Sequence, residues 1–348
     1  MAEIAAEDRC LTLVIAAFNE AEALPRLWPR IRAALDAAQA EGLEARALFV
    51  DDGSRDGTWA LLQEFAQADP RVALLRLSRN FGKEAALTAG LDRVERGAAF
   101  ILDADGQDPP ELLSQFVAKW REGFDDVYGM RLARAGEGVF KRASAHGFYR
   151  VIGLLSRTPI PRDAGDFRLL SPRALAALRG LRERHRFMKG LFGWIGYNRT
   201  AIPYERGPRS GGRSKFSAWR LWNFALEGIT GFSTVPLRLS TYLGFATAAL
   251  AFGYGLVVIV KALLWGDPVA GWPTMMAVIL FLGGVQLMAL GTLGEYLGRM
   301  YEESKQRPLY LVDAWQPANA LSSTRATALA PGLDDGKEDC DAHGTTAA

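Results

Sequence analysis

Two long stretches without a charged side chain restrict this chain more than any other feature of its sequence. Between Arg238 and Lys261 every residue from Leu239 to Val260 is uncharged, and between Asp267 and Glu295 the same holds from Pro268 to Gly294. Each stretch reaches the roughly 20 residues that a helix needs to cross the interior of a bilayer. Helices buried in a protein core are usually shorter and keep a polar face, so the pair is predicted to span a membrane as a hairpin. The turn from Trp265 to Trp272 holds Asp267 and no Lys or Arg, while Arg238, Arg299, Lys305 and Arg307 lie outside the pair. This asymmetry predicts that both long flanks face the cytoplasm.

What remains must fold in water. An apolar content of 49% with 23% charged residues in a 348-residue chain leaves ample material for a core. A formal net charge of +2 is too small to argue for a nucleic-acid partner. The two cysteines, Cys10 and Cys340, form neither a spaced zinc set nor a disulfide framework, which fits a reducing compartment. The first residues carry Glu3, Glu7 and Asp8 and lack the basic start and long apolar run of a secretory signal, so the first domain is expected in the cytosol.

From Leu11 to about Arg131 short apolar runs alternate with helical segments, the pattern of a parallel sheet with crossover helices. Leu11–Ala16, Ala47–Val50, Val72–Leu77, Ala98–Leu102 and Val127–Met130 are predicted strands, with helices over Leu24–Ala40, Thr58–Ala68, Lys83–Glu95 and Glu111–Trp120. In such sheets ligands bind outside the carboxyl ends of the strands. The polar motifs fall there: Asn19-Glu20 after the first strand, Asp51-Asp52-Gly53-Ser54 after the second, Asn80-Phe81-Gly82-Lys83 after the third, and Asp103-Ala104-Asp105-Gly106-Gln107 after the fourth.

Asp103 and Asp105, two apart beyond a buried strand, suit a hard divalent ion that takes its other ligands from a substrate's phosphates. A solvated turn is the plain alternative. Asp51-Asp52-Gly53-Ser54 reads equally as an ordinary turn or as a carboxylate placed to accept from a ribose hydroxyl or a base edge. Asn19-Glu20 has the alternative of capping the next helix. Between Tyr204 and Lys215 four cations share a glycine-rich loop suited to phosphate oxygens or to anionic lipid headgroups. Ser217–Ile229, with Trp219, Trp222 and Phe224 beside Arg220, reads as an interfacial amphipathic helix or a packed one. The three histidines share no metal-ligand spacing, and no P-loop or HExxH motif occurs. After Pro308 the tail has little to bury and is expected to be disordered.

With these motifs in this order, the chain resembles family 2 glycosyltransferases of the dolichol-phosphate mannosyltransferase type, and among them bacterial polyprenyl-phosphate (bactoprenol) glucosyltransferases with two C-terminal spans. The resemblance covers about residues 10 to 312. It rests on Arg79-Asn80-Phe81-Gly82-Lys83-Glu84-Ala85-Ala86, the segment from Asp103 to Pro110, Asp163-Ala164-Gly165-Asp166-Phe167-Arg168 and Gly294-Glu295-Tyr296-Leu297-Gly298-Arg299. Phe18 and Phe216 depart from it, each standing where the family usually has Tyr.

The resemblance implies a GT-A fold, an α/β domain with a mixed, mostly parallel sheet, over residues 1–215. Juxtamembrane amphipathic helices would follow at 216–235, a two-helix transmembrane anchor at 236–300, and a cytosolic tail at 301–348, disordered after about 316. It implies a nucleotide-sugar site of Ala17, Asn19, Glu20, Asp52, Lys83, Asp103, Ala104 and Arg131, and a Mg²⁺ or Mn²⁺ ion at Asp103, Asp105 and Gln107. Asp105 and Asp166 would be the catalytic pair, with Arg206, Arg209, Ser214 and Lys215 on the acceptor phosphate. The implied reaction is inverting transfer of a hexose from a nucleotide sugar to a polyprenyl phosphate at the cytosolic face of the inner membrane, for cell-envelope glycosylation. UDP-glucose is the preferred donor, with GDP-mannose and other UDP-sugars open. Whether Asp166 acts as a base or only orients, and whether the chain forms homo-oligomers, stay open too. The reading of another class is a non-catalytic membrane lipid-binding scaffold. A processive synthase would need more spans and an Arg-Trp pair that is absent.

Overall fold

The computed structural model describes residues 9–132, 164–184, 186–205, 235–265 and 271–319. Every predicted strand is present: β1 (Cys10–Ala17), β2 (Glu44–Asp51), β3 (Val72–Leu77), β4 (Ala98–Asp103) and β5 (Asp126–Arg131). The crossover helices α1 (Leu24–Ala40) and α2 (Thr58–Ala68) have the predicted bounds. α3 (Lys83–Asp92) stops short of Glu95, and the segment predicted from Glu111 opens as a 3₁₀ turn (Pro110–Leu112) before α4 (Leu113–Arg121).

Further along lie β6 (Ala164–Leu170), α5 (Pro172–Gly180), α6 (Met188–Trp194), β7 (Arg199–Tyr204), the long helices α7 (Val235–Trp265) and α8 (Trp272–Ser304), and β8 (Val312–Gln316). The eight strands form one sheet in the order β7-β5-β6-β4-β1-β2-β3-β8, in which only β6 and β8 run against the rest. This is the mixed, mostly parallel sheet that was expected.

The central strands read as near-continuous apolar runs because both faces are covered. In β1, Leu11, Leu13 and Ile15 join Ile31, Phe49, Leu74 and Phe100 on one side, while Val14 joins Leu48, Leu75, Leu87 and Ile101 on the other. Each such fully buried side chain contributes about 1.5–3 kcal/mol relative to exposure. β6 was not predicted, because its Gly165, Asp166 and Arg168 break an apolar pattern. Its alternation nevertheless places Phe167 and Leu169 in the first cluster and Leu170 in the second. Arg168 is tolerated inside because its Nη1 donates to both Asp126 oxygens at 3.0 and 3.1 Å, and its guanidinium stacks 3.6 Å from the Phe192 ring centroid.

The tail corrects one expectation: instead of being disordered after Pro308, the chain adds β8 antiparallel to β3. Arg93 stacks on Trp315, the Tyr310 hydroxyl donates to Asp92 at 2.8 Å, and Ala318 is buried. Residues 320–348 lie outside the described residues.

α7 and α8, of 31 and 33 residues, pack against each other. Among the described residues no helix is long and apolar enough to cross a membrane. The uncharged run Pro268–Gly294 begins outside the described residues, at positions 268–270. Many described side chains of the pair are exposed, Phe245 and Leu250 at 73% each and Phe252 at 78%, while Thr247 and Val285 are buried. The basic loop from Arg206 to Lys215 and the segment Ser217–Ile229 lie outside the described residues.

Candidate active site

At the carboxyl ends of β1, β2 and β4 the loops open a cavity of about 380 Å³. Of the residues singled out in the sequence, Ala17, Glu20, Asp52, Lys83, Asp103, Ala104 and Asp105 line it, together with Phe18 and Asn80. Asn19 does not: its backbone is left-handed (φ 53°), and its side-chain oxygen accepts from the Arg55 N–H at 2.9 Å. Nor does Asn19-Glu20 cap α1, which starts at Leu24 without a side-chain cap. Ser54 and Thr58 instead accept from the N–H groups of Asn19 and Glu20, so the loop after β1 is pinned to the loop after β2.

Asp52 serves the third loop. Its two oxygens accept from the Phe81 N–H at 2.8 Å, the Gly82 N–H at 3.0 Å and the Asn80 amide at 2.9 Å. Burial raises its pKa, with those N–H groups pulling the other way. The consequence is a fixed start for α3, whose first residue is Lys83.

Lys83 is the hub of the site. Its Nζ lies 2.7 and 2.9 Å from the two Asp103 oxygens and 2.6 Å from Asp166 Oδ2, while 44% of the side chain stays open. Burial opposes the ammonium charge, and the two carboxylates outweigh it, so the pKa stands above the ordinary lysine value. Burial likewise works against ionised Asp166, yet Lys83 and Lys189 hold it down at about 2. Asp166 Oδ1 is buried with no hydrogen-bond partner among the described residues. Glu84, beside them, is pushed up to about 7 by burial and by Asp166, and accepts from the Met188 N–H at 3.2 Å. Burial pushes the Lys189 ammonium down, Asp166 resisting.

Arg131 approaches from β5. A Cβ at Gly165 would sit 2.9 Å from its Nη2, so a larger residue there would push the guanidinium aside. The Arg131 Nε donates to the Tyr204 hydroxyl at 3.3 Å, and that hydroxyl donates to Asp108 at 2.6 Å. Tyr204 packs over residue 129, which is glycine; a Cβ there would meet its ring at 2.7 Å.

The donor set fits a hard divalent ion in part. Asp103 and Asp105 both face the cavity, and Asp105 is oriented by the Gln107 N–H at 3.1 Å, so Gln107 enters through its backbone. Among the described residues no group of three or more His, Cys, Asp or Glu is placed to hold a metal unaided. Two carboxylates with a phosphate-bearing ligand to complete the shell match the coordination habit of Mg²⁺ and Mn²⁺. Glu84, Lys189 and Tyr204 were not foreseen as site residues. Glu84 stands inside a motif quoted above, whereas Lys189 on α6 carries no signal in the sequence. The acceptor residues Arg206, Arg209, Ser214 and Lys215 lie outside the described residues.

The model of glycosyl transferase family 2 matches residues 12–179, and that of the GtrB C-terminal hairpin matches residues 235–300. An uncharacterized glycosyltransferase of Synechocystis is 46% identical over 306 residues, covering 88% of this chain and 95% of that protein. A bactoprenol glucosyl transferase of Shigella phage SfV is 43% identical over 302 residues, 87% and 97% of the two chains. A prophage bactoprenol glucosyl transferase homolog of Escherichia coli is 41% identical over 302 residues, 87% and 98%.

Proposed function

The chain belongs to glycosyl transferase family 2, of the bactoprenol glucosyltransferase type, and from that premise we propose that it transfers a hexose from a nucleotide sugar to a polyprenyl phosphate. UDP-glucose is the donor we favour, the transfer inverts the anomeric carbon, and the site works at the cytoplasmic membrane face. The observation that carries this reading is the meeting of Asp103, Asp105 and Asp166 at one mouth of the sheet, with Lys83 among them.

Mg²⁺ or Mn²⁺ held by Asp103 and Asp105 beside Gln107 would neutralise charge building on the departing nucleoside diphosphate. Arg131, braced by Tyr204, offers the diphosphate a fixed guanidinium. Glu20 and Asp52 form the cavity wall on the nucleoside side. A phosphate monoester has a second pKa of roughly 6, so the acceptor is largely ionised at neutral pH and needs little base assistance. With an acceptor that is already ionised, Asp166 is assigned to orienting a hydroxyl of the sugar through its spare oxygen rather than to removing a proton. Arg206, Arg209, Ser214 and Lys215 would receive the lipid phosphate and offset the repulsion between two anionic substrates.

Membrane attachment through α7 and α8 is part of the proposal. It is supported by the two uncharged runs, the hairpin match at residues 235–300, and outward-facing side chains such as Phe245, Phe252 and Leu287. Confining the active site to the surface that holds the acceptor raises their encounter rate. Membranes containing the protein, given a panel of labelled nucleotide sugars, should place label in the lipid phase with UDP-glucose above all others. Label in no lipid fraction with any donor would refute the reading. Asp105→Asn should lower transfer by at least about a hundredfold without altering the melting temperature; full turnover with added Mn²⁺ would remove Asp105 from the metal site.

A further inference from the structure

β4 and β6 run antiparallel with Ile101 opposite Arg168. Continuing that register by two residues sets Asp103 opposite Asp166, two like charges on facing positions, an arrangement that opposes sheet pairing. Lys83 resolves it by bridging both carboxylates, touching Asp103 through each of its oxygens. It reaches them from the first turn of α3, which Asp52 anchors.

We propose that Lys83 is the resident cation of the donor-free site: it neutralises the Asp103–Asp166 pair, keeps a free divalent ion out, and gives up Asp103 only when the ion arrives with a nucleotide diphosphate. The inference rests on the metal assignment made above. A divalent ion needs an Asp103 oxygen that Lys83 already holds, and binding beside the ammonium sets like charges in contact. A metal chelated by a diphosphate removes both obstacles, because its phosphate oxygens give the displaced ammonium a new partner. The metal and nucleotide thus load together, and Asp166 is released from Lys83 in the same event.

Mn²⁺ binding to the full-length purified protein, read from the electron paramagnetic resonance signal of free Mn²⁺ with and without UDP, tests this. Wild type and Lys83→Arg should bind Mn²⁺ weakly alone and on the order of tenfold or more tightly with UDP. Lys83→Gln and Lys83→Met should bind Mn²⁺ alone about tenfold more tightly than wild type and lose most of the UDP dependence, a gain that misfolding would not produce. If neither variant binds Mn²⁺ alone more tightly than wild type, the resident-cation role is wrong. The metal site itself would still stand if wild type bound Mn²⁺ with UDP and Asp105→Asn did not. Absence of Mn²⁺ binding by wild type even with UDP would overturn both.

Discussion

Replacing Arg168 with Met would strip the cation from an ion pair almost wholly out of water, in which the side chains of Arg168 and Asp126 are 3% and 4% exposed. Burial already pushes the Asp126 carboxyl above its ordinary value while Arg168 pulls it back. Without Arg168 the carboxyl must stay ionised with the weaker pull of Arg199 or take up a proton, and the second option sets the ceiling on the damage. Protonating a carboxyl of ordinary pKa 3.8 at pH 7 costs about 4 kcal/mol. Losing the hydrogen bond to the Gly165 carbonyl and the stacking on Phe192 adds about 1 kcal/mol. A loss of about 4–5 kcal/mol is in the range seen when one partner of a buried pair is removed. The variant's Asp126 titrates above its unfolded value, so the stability it retains is present at low pH and lost as pH rises. At pH 5 the protonation cost falls to about 1.6 kcal/mol. Thermal unfolding followed by tryptophan fluorescence should show a drop in Tm of roughly 8–20 °C at pH 7 and about half that at pH 5. Asp126→Asn combined with Arg168→Met should recover most of it. A loss under about 1 kcal/mol at pH 7, or one that does not change between the two pH values, would refute the reasoning.

Glu84→Gln probes the raised carboxyl near Asp166. Its folded pKa of about 7 lies above the ordinary 4.5, so wild-type stability should decline by up to about 3 kcal/mol as pH rises from 5 to 8. The variant should flatten that decline in melting curves, and parallel curves would count against the assignment. Gly129→Ala forces a methyl group against Phe167 and Tyr204, with an expected cost of about 1–3 kcal/mol in denaturant unfolding; an unchanged midpoint would show that the strand yields. Tyr204→Phe should raise the KM for the nucleotide sugar several-fold, because Arg131 loses its brace, and should lower Tm as well, because the buried Asp108 carboxylate loses a donor at 2.6 Å. An unchanged KM would detach Arg131 from the donor phosphates.

The parallel half of the fold was legible because its strands are covered on both faces and its helices repeat at a regular interval. The cavity wall was legible too, since the loops after β1, β2 and β4 each carry a compact polar motif. What escaped has a physical cause in each case. β6 stabilises its polar residues by pairing Arg168 with Asp126, a partner 42 residues away that no local pattern announces. β8 is a five-residue strand that stays largely exposed because it pairs on a sheet edge, where backbone hydrogen bonds and single contacts such as Arg93 on Trp315 suffice. The side-chain oxygens of Asn19 and Asp52, expected at a nucleoside, accept from neighbouring loops, and Asp52 also lines the cavity. Short polar side chains at strand ends serve both purposes, and sequence alone does not separate them.

The return of the chain to the sheet sets a leash. α8 ends at Ser304 and β8 begins at Val312, and a connection of that length extends no further than about 25–30 Å. With the hairpin held in a bilayer, as proposed, the catalytic mouth would stay within that reach of the lipid surface, and lengthening residues 305–311 with a flexible insert would uncouple the sheet's height from the lipid without touching a single substrate contact.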